Sequence, residues 1–426
     1  MAAPAPDIGS RSHAQSLDAA DPLAPYREQF VHADEGLIYL LGNSLGRLPV
    51  ASAKRVEQAV GAEWGERLIR GWNDGWLAAP GRIGDKLGAL IGAGPGQVVV
   101  DDSTTVNLYK AMMAALALRP ERTRIITDAL NFPSDLYLLE GCVRTLGDRH
   151  EIVRLPSADG VTVDLQTLLA AIDERTALVT LSQVVFRSGF LHDAETITRR
   201  AREAGALTLW DMSHSVGVVP AALDDWGVDF AVGCTYKYLN GGPGSPAFLY
   251  VNAALPAETR SPVWGWFGHR EPFRFDLDYR PSEGIDRFRA GSPAVLSLLA
   301  LEPSVEMILE AGVEAIREKS LALTGCLIDL YDAKLAGAGY QLATPREPHR
   351  RGSQISLRHP EAFRIRRAVA EHHQLLIDFR EPDTLRLGLA PLYTRFAEVW
   401  DAVEALVEVV ASEAYLRYSG DRNGLT

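Results

Sequence analysis

The stretch "DFAVGCTYKYLNGGPGSPAFLYV", residues 229–251, sets a lysine between two tyrosines, after one apolar run and before a cluster of glycines. Lysine is scarce in this chain: six among 43 basic residues, Lys54, Lys86, Lys110, Lys237, Lys319 and Lys334. Five of them sit in helical patterns among polar neighbours. Lys237 instead lies between the apolar runs "DFAVGC" and "PAFLYV", both of which read as strands. The bland reading is a surface lysine on an edge. Its neighbours Tyr236, Tyr238 and Leu239 favour a partly desolvated amine. Desolvation lowers a lysine pKa, and the neutral amine is the form that makes a Schiff base. The glycines that follow formally fit G-x-G-x-x-A at Gly242, Gly244 and Ala247. They carry Pro243 and Pro246 and lead into a strand, whereas a dinucleotide fingerprint opens a helix. Here they read as places where backbone comes close to a ligand or to another subunit.

Working outward, short apolar runs alternate with helical patterns. "QVVVDD", "RIITDA", "TALVTLSQVVF" and "ALTLWD" read as strands. "TVNLYKAMMAALAL", "DLQTLLAAIDE" and "DAETITRRAREAG" read as helices between them. That alternation predicts an α/β unit with a largely parallel sheet. After about residue 294 the pattern turns to a long helical stretch, then short strands and two further helices, which predicts a smaller α+β unit. The expected division is a flexible lead-in over 1–25, an N-terminal segment over 26–59 packing with the small unit, a large unit over 60–293 and the small unit over 294–426.

The totals fit this picture. The chain has 426 residues, 47% hydrophobic and 23% charged, with a formal charge of −12. That balance argues against nucleic acid and anionic membrane as partners. Cys142, Cys234 and Cys326 are far apart and form no CxxC pair, so they read as reduced thiols and not as a disulfide framework or a zinc site. No Walker A motif is present, and the ten histidines do not cluster with cysteines. No apolar run reaches the roughly 20 residues of a membrane span. The N-terminal stretch lacks the apolar core of a secretory signal. Together these predict a cytoplasmic protein with no metal.

In open α/β sheets the ligand sits beyond the carboxyl ends of the strands. After "QVVV" come Ser103, Thr104 and Thr105 at a helix start, where they cap the helix or face a phosphate. After "RIITDA" comes "NFPSD", either a proline turn or a platform on which Phe132 stacks against a flat ring, with Ser134 and Asp135 beside it. After "ALTLW" comes Asp211, either a cap or the partner of a protonated ring nitrogen. Lys237 follows 26 residues later. Hydroxyl-rich helix start, aromatic turn, strand-end aspartate and later lysine occur together, in the order of fold-type I pyridoxal phosphate (PLP) enzymes.

The chain resembles the kynureninase family, PLP-dependent hydrolases of the class V aminotransferase group. The resemblance rests on "LLGNSLGRLP" (40–49), "STTVNLYK" (103–110), "NFPSDLY" (131–137) and "WDMSHSVGVVP" (210–220). It continues through "DDWGVDFAVGCTYKYLNGGPGS" (224–245), "GWFGH" (265–269), "FRAGSP" (288–293) and "LRLGLAPLY" (385–393). It implies a mostly parallel seven-stranded sheet flanked by helices, a smaller α+β C-terminal domain and a homodimer with shared sites. It implies that Lys237 carries PLP, Asp211 pairs with the pyridine nitrogen and Phe132 stacks on the ring. Thr104, Thr105 and Tyr236, with the partner subunit's Trp266 and the partner subunit's Ser292, would surround the phosphate. Ser134, Asp135, Ser182 and His214 would line the cofactor. Arg386 would bind the substrate carboxylate, and Asn43 and Trp72 would lie near the substrate side chain. Tyr236 would also donate or relay a proton.

The implied reaction is hydrolysis of L-kynurenine, or its 3-hydroxy form, to anthranilate or 3-hydroxyanthranilate and L-alanine, a step of tryptophan catabolism. The alternatives are a related class V lyase or aminotransferase acting on another amino acid, or a non-catalytic dimer of this fold. One stretch departs from the family pattern. "SQVVFRSGF" (182–190) stands where H-V-N-Y-R-T-G is expected, with Val184 and Val185 for the polar pair and Phe186 for the tyrosine.

Overall fold

The computed structural model describes residues 9–421 apart from 33 and 35. Its large unit is built on a seven-stranded sheet: β1 (Val98–Val100), β2 (Arg124–Asp128), β3 (Glu151–Leu155), β4 (Thr176–Ser182), β5 (Leu207–Asp211), β6 (Phe230–Gly233) and β7 (Phe248–Val251). The spatial order is β1-β7-β6-β5-β4-β2-β3. Only β7 runs antiparallel to its neighbours. The two apolar runs flanking Lys237 are therefore β6 and β7, paired with each other, and the Lys237 loop joins them across one end of the sheet.

Strands β1, β4, β5 and β6 are buried along their whole length, because helices cover both faces. Helices start where the sequence supplies caps. Ser103, Asp164 and Asp193 accept the amides of Val106, Thr167 and Thr196 at the starts of helices Thr104–Ala117, Leu165–Ala171 and Ala194–Glu203. Strand β3, "EIVRL", was not among the expected strands. It is the sheet's outer edge, with Glu151 and Arg154 exposed, so it lacks the apolar run that marks the buried strands.

The small unit is an antiparallel sheet of Asp378–Arg380, Thr384–Gly388, Gln354–Arg358 and Gln341–Leu342, in that order. Its core is shared with helices Val313–Leu330, Ala362–His373 and Phe396–Ala411. Helix Val295–Ala311 follows the expected boundary at 294 but buries Leu298, Leu301, Val305 and Ile308 in the large unit's core. The change of core therefore falls near Gly312.

The N-terminal stretch differs from the expected lead-in. Residues 1–8 lie outside the described part, but Arg11–Ala19 is a helix capped by Ser10. Its Asp18 carboxylate accepts the first amides of helix Phe396–Ala411, at Phe396 (2.6 Å) and Ala397 (3.0 Å). Asp21 pairs with the buried Lys319 at 2.5 Å. Composition alone favoured a loose segment, and these long-range charge contacts hold it down. Of the 26–59 segment, Ile38–Tyr39 pairs with Leu375–Leu376 of the small unit. Helix Val50–Gln58 packs instead on helix Val295–Ala311.

Candidate active site

The ends of β2, β4, β5 and β6 converge where the ligand was expected. Asp211 closes β5 and lies beside Ser182, the last residue of β4. Its carboxylate accepts the Ser213 amide at 2.8 Å. Ser182 donates to the Asn131 side chain at 2.6 Å, which ties β4 to the "NFPSD" turn. Asp135, in the first turn of helix Pro133–Thr145, lies against Asp211. Burial pushes the Asp135 carboxyl well above the usual range, and the neighbouring Asp211 charge adds to the shift. The two carboxyls thus meet in one buried pocket, with Asp135 the one pushed upward.

Lys237 lies across from this pair. Its Nζ is 2.8 Å from His214 Nε2. Burial first, and then the charges of Lys237, Arg386 and Arg380, hold the His214 imidazole well below its usual pKa. The imidazole is neutral, so Nε2 accepts from the lysine, and Gln354 lies against the ring. Burial alone does not single out Lys237. Lys110 and Lys319 are more deeply buried, but each meets a carboxylate, Asp102 and Asp21. Among the described residues Lys237 has no carboxylate within salt-bridge range, which leaves its amine for other chemistry.

The glycines beside Lys237 have a steric reason. Gly242 and Gly244 have φ of +86° and +75°, with open space where a Cβ would stand. Gly46, from "GNSLG", approaches so closely that a Cβ would lie 2.4 Å from the Lys237 carbonyl oxygen. Its amide donates to the Tyr236 carbonyl at 2.8 Å. Tyr236 itself is half-buried, and Cys234 and then burial keep its hydroxyl protonated beyond the ordinary value, so it is a donor at neutral pH.

Arg386, on strand Thr384–Gly388, is buried. It donates to the Phe186 carbonyl at 2.5 Å, to Ser44 Oγ at 3.1 Å and to Asp378, and its Nε is unpartnered. Burial would raise the Asp378 carboxyl, but Arg386, Arg380 and Ser44 together hold it below its usual value. Asn43 is fully buried on the same side and donates to Gln354 at 3.0 Å. Phe186, at the departure from the family pattern, meets Phe132 edge to face with ring centres 5.1 Å apart. Val184 and Val185 turn into the core. Phe186, in place of the expected tyrosine, thus faces Phe132, whereas Val185, in place of the expected asparagine, faces the core.

The structure brings together Lys237, His214, Asp211, Asp135, Ser182, Phe132, Arg386 and Asn43. Thr105 and Ser134 meet at 3.4 Å, at the start of helix Thr104–Ala117, with Thr104 beside them. Three expected residues lie elsewhere in the chain. Trp72 packs on Trp76 and Phe267, and Trp266 packs on Phe267, Phe273 and Phe275. Ser292 lies exposed before helix Val295–Ala311. The sequence reading missed Asp378, Gln354, Ser44 and Asn131. Asp378 carried the same signal as Asp211, an acidic residue closing the apolar run "LLID".

The residues present fit PLP. Two facing buried carboxyls opposite an amine and a neutral imidazole suit a protonated ring nitrogen. Phe132 offers a ring face, and the first turn of helix Thr104–Ala117 suits a phosphate.

In fold, the chain is similar to an apo cysteine desulfurase from Thermococcus onnurineus, with TM-score 0.79 and 18% identity over 91% of this chain and 98% of that one. A cysteine desulfurase from Escherichia coli gives TM-score 0.75 and 20% identity over 93% and 98%. Fold and site together define a fold-type I PLP enzyme. In sequence, the chain is 44% identical to a kynureninase of Burkholderia pseudomallei over 95% of this chain and 97% of that one. It is 43% identical to a kynureninase of Pseudomonas fluorescens over 94% and 95%. Residues 316–406 match the family model for the kynureninase C-terminal domain. The chain belongs to the kynureninase family, PLP-dependent hydrolases.

Proposed function

We propose that this protein hydrolyses L-kynurenine to anthranilate and L-alanine, with 3-hydroxy-L-kynurenine as a second substrate. The near-full-length similarity to kynureninases carries this reading. Lys237 would hold PLP, with Asp211 on the ring nitrogen, Phe132 against the ring and Thr104, Thr105 and Tyr236 toward the phosphate. Ser134, Asp135, Ser182 and His214 would line it. When bound, PLP supplies an electron sink that stabilises negative charge at the substrate Cα.

The chain's own residues do the rest. Arg386 binds the substrate carboxylate, through Nε–H and the donors that Asp378 and Ser44 orient. Lys237 would take the Cα proton, with its Nζ hydrogen-bonded to His214 Nε2. Asp211 would keep the ring nitrogen protonated, with Asp135 against it. Water would add to the γ-carbonyl, the Cβ–Cγ bond would break to release anthranilate, and Tyr236 would deliver or relay the proton that Cβ takes up to give alanine.

A desulfurase reading, suggested by the fold alone, lacks a nucleophile. Burial raises all three thiols, Cys142 and Cys326 to about 11. None is poised as the thiolate such chemistry needs. We further propose a cytoplasmic homodimer in which the partner subunit's Trp266 and the partner subunit's Ser292 complete the phosphate site. The test is product analysis. Incubation with L-kynurenine gives anthranilate fluorescence and an equal amount of alanine. Sulfide from L-cysteine without anthranilate from L-kynurenine overturns the reading.

A further inference from the structure

One buried amide meets both halves of the site. Gln354 lies on strand Gln354–Arg358 of the small unit and is 1% exposed. It stands opposite Gly388 in the ladder with strand Thr384–Gly388, so it shares a face with Ser356 and Arg386. Its Nε2 donates to the Phe186 carbonyl at 2.8 Å, and its Oε1 accepts from Asn43 Nδ2 at 3.0 Å. The Phe186 carbonyl also takes the Arg386 Nη1 bond at 2.5 Å, so both lone pairs of that oxygen are used. On its other side Gln354 lies against the His214 ring, whose Nε2 accepts from Lys237.

The loop that carries Phe186 is shaped around this amide. Gly189 has φ of +72°, and a Cβ there would stand 2.9 Å from both the Gln354 Cγ and the Gln354 carbonyl oxygen, so a larger residue would hold the loop off the strand. Ser356, two residues along on the same face, donates to the Arg187 carbonyl at 2.6 Å and holds the same loop. No hydrogen bond joins Ser356 to Asn43 or His214 among the described residues. At position 354 an apolar side chain would leave the Phe186 carbonyl and the Asn43 amide each one bond short, and a carboxylate would face a carbonyl oxygen. A neutral amide supplies the donor to one and the acceptor to the other. We propose that Gln354 is a positioning residue for the reaction. It ties Arg386, through the shared Phe186 carbonyl, to Asn43 and to His214, the partner of Lys237. Phe132, edge to face with Phe186, is the route by which the position of the loop reaches the cofactor ring. This assignment rests on the role proposed for Arg386 toward the substrate carboxylate.

The test compares Gln354→Leu with Ser356→Ala in the full-length, PLP-loaded enzyme. Ser356→Ala removes one hold on the loop and leaves the amide in place. Visible circular dichroism of bound PLP reads the seat of the ring independently of turnover. Gln354→Leu is expected to keep PLP bound, to lower that band at least twofold and to raise KM for L-kynurenine at least tenfold. Ser356→Ala is expected to keep the band and to change KM less than twofold. Equal behaviour of the two variants overturns the proposal, because Gln354 would then do no more than pin the loop. Loss of PLP in Gln354→Leu, or a wild-type band or KM, overturns it as well. Should Gln354→Leu fail to fold, Gln354→Glu takes its place, keeping the acceptor for Asn43 and losing the donor to Phe186; an unchanged KM there overturns the proposal alone. If the wild-type enzyme makes no anthranilate, the substrate reading falls, and the dichroism comparison still decides on Gln354.

Discussion

At the residue scale the site depends on which buried groups are left without a countercharge. Lys110 and Lys319 are neutralised by Asp102 and Asp21, whereas Lys237 faces a neutral imidazole. Opposite it, burial and the neighbouring Asp211 raise the Asp135 carboxyl well above its usual range. A carboxyl whose folded pKa is raised binds its proton more tightly in the folded state. Its contribution to stability is full below the unfolded value, about 3.9, and is lost as pH rises through the folded value. Cofactor-free protein should therefore lose thermal stability through this group as pH rises above about 4. In Asp135→Asn that part of the slope disappears and the melting temperature at pH 7 rises; an unchanged slope would remove Asp135 from the account. Lys237 and Asp211 were legible in the sequence because each follows an apolar strand, where a charged side chain needs a reason. The unpaired state of Lys237 was not legible, since it depends on what the other lysines meet after folding.

At the element scale the side proposed for the substrate carboxylate is a cross-strand pair. Asp378 and Arg386 stand directly opposite in the antiparallel ladder of the small sheet. Both are buried, and Ser44 and the Phe186 carbonyl complete the shell around the guanidinium. Breaking a buried pair on one side costs about 3–5 kcal/mol, because the remaining charge is stranded. Asp378→Ala is expected to lose stability of that order in denaturant melts and to raise KM, since Arg386 loses its orientation. Arg386→Ala is expected to raise KM about 10- to 100-fold, the loss of one to two charged hydrogen bonds, with the cofactor absorption retained. Loss of the cofactor in Arg386→Ala would move Arg386 out of the carboxylate role. Arg386 was readable through "LRLGLAPLY"; Asp378 closes "LLID" as Asp211 closes its strand, but its pairing with Arg386 was not readable, because it is fixed by strand register and not by any spacing along the chain. The edge strand Glu151–Leu155 escaped for a similar reason: its residues are those of a solvated edge, and only its pairing with Arg124–Asp128 makes it a strand.

At the scale of the whole molecule one aromatic surface is left uncovered by the described residues. Trp264, Trp266, Phe273, Phe275 and Leu277 are all exposed, Leu277 completely. Trp264 stacks on Tyr279 at 4.9 Å, and Trp266 packs within the same cluster as Trp72. Exposed apolar patches of this kind mark interfaces. The proposed second copy, covering this segment, would account for why Trp266 and Ser292 lie apart from Lys237 in one chain. The double variant Phe275→Asp, Leu277→Asp is expected to shift the particle from dimer to monomer in light scattering and to weaken PLP binding. A monomeric wild-type protein with full PLP affinity would contradict that arrangement.

The account turns on Lys237, and one measurement addresses it directly. Borohydride reduction of the PLP-loaded enzyme fixes the cofactor to whichever amine holds it, and peptide mass spectrometry reads the position. The account predicts a phosphopyridoxyl group on the peptide containing Lys237 and on no other lysine peptide. A label on Lys110 or Lys319, or a fully loaded enzyme with Lys237 unmodified, would contradict it.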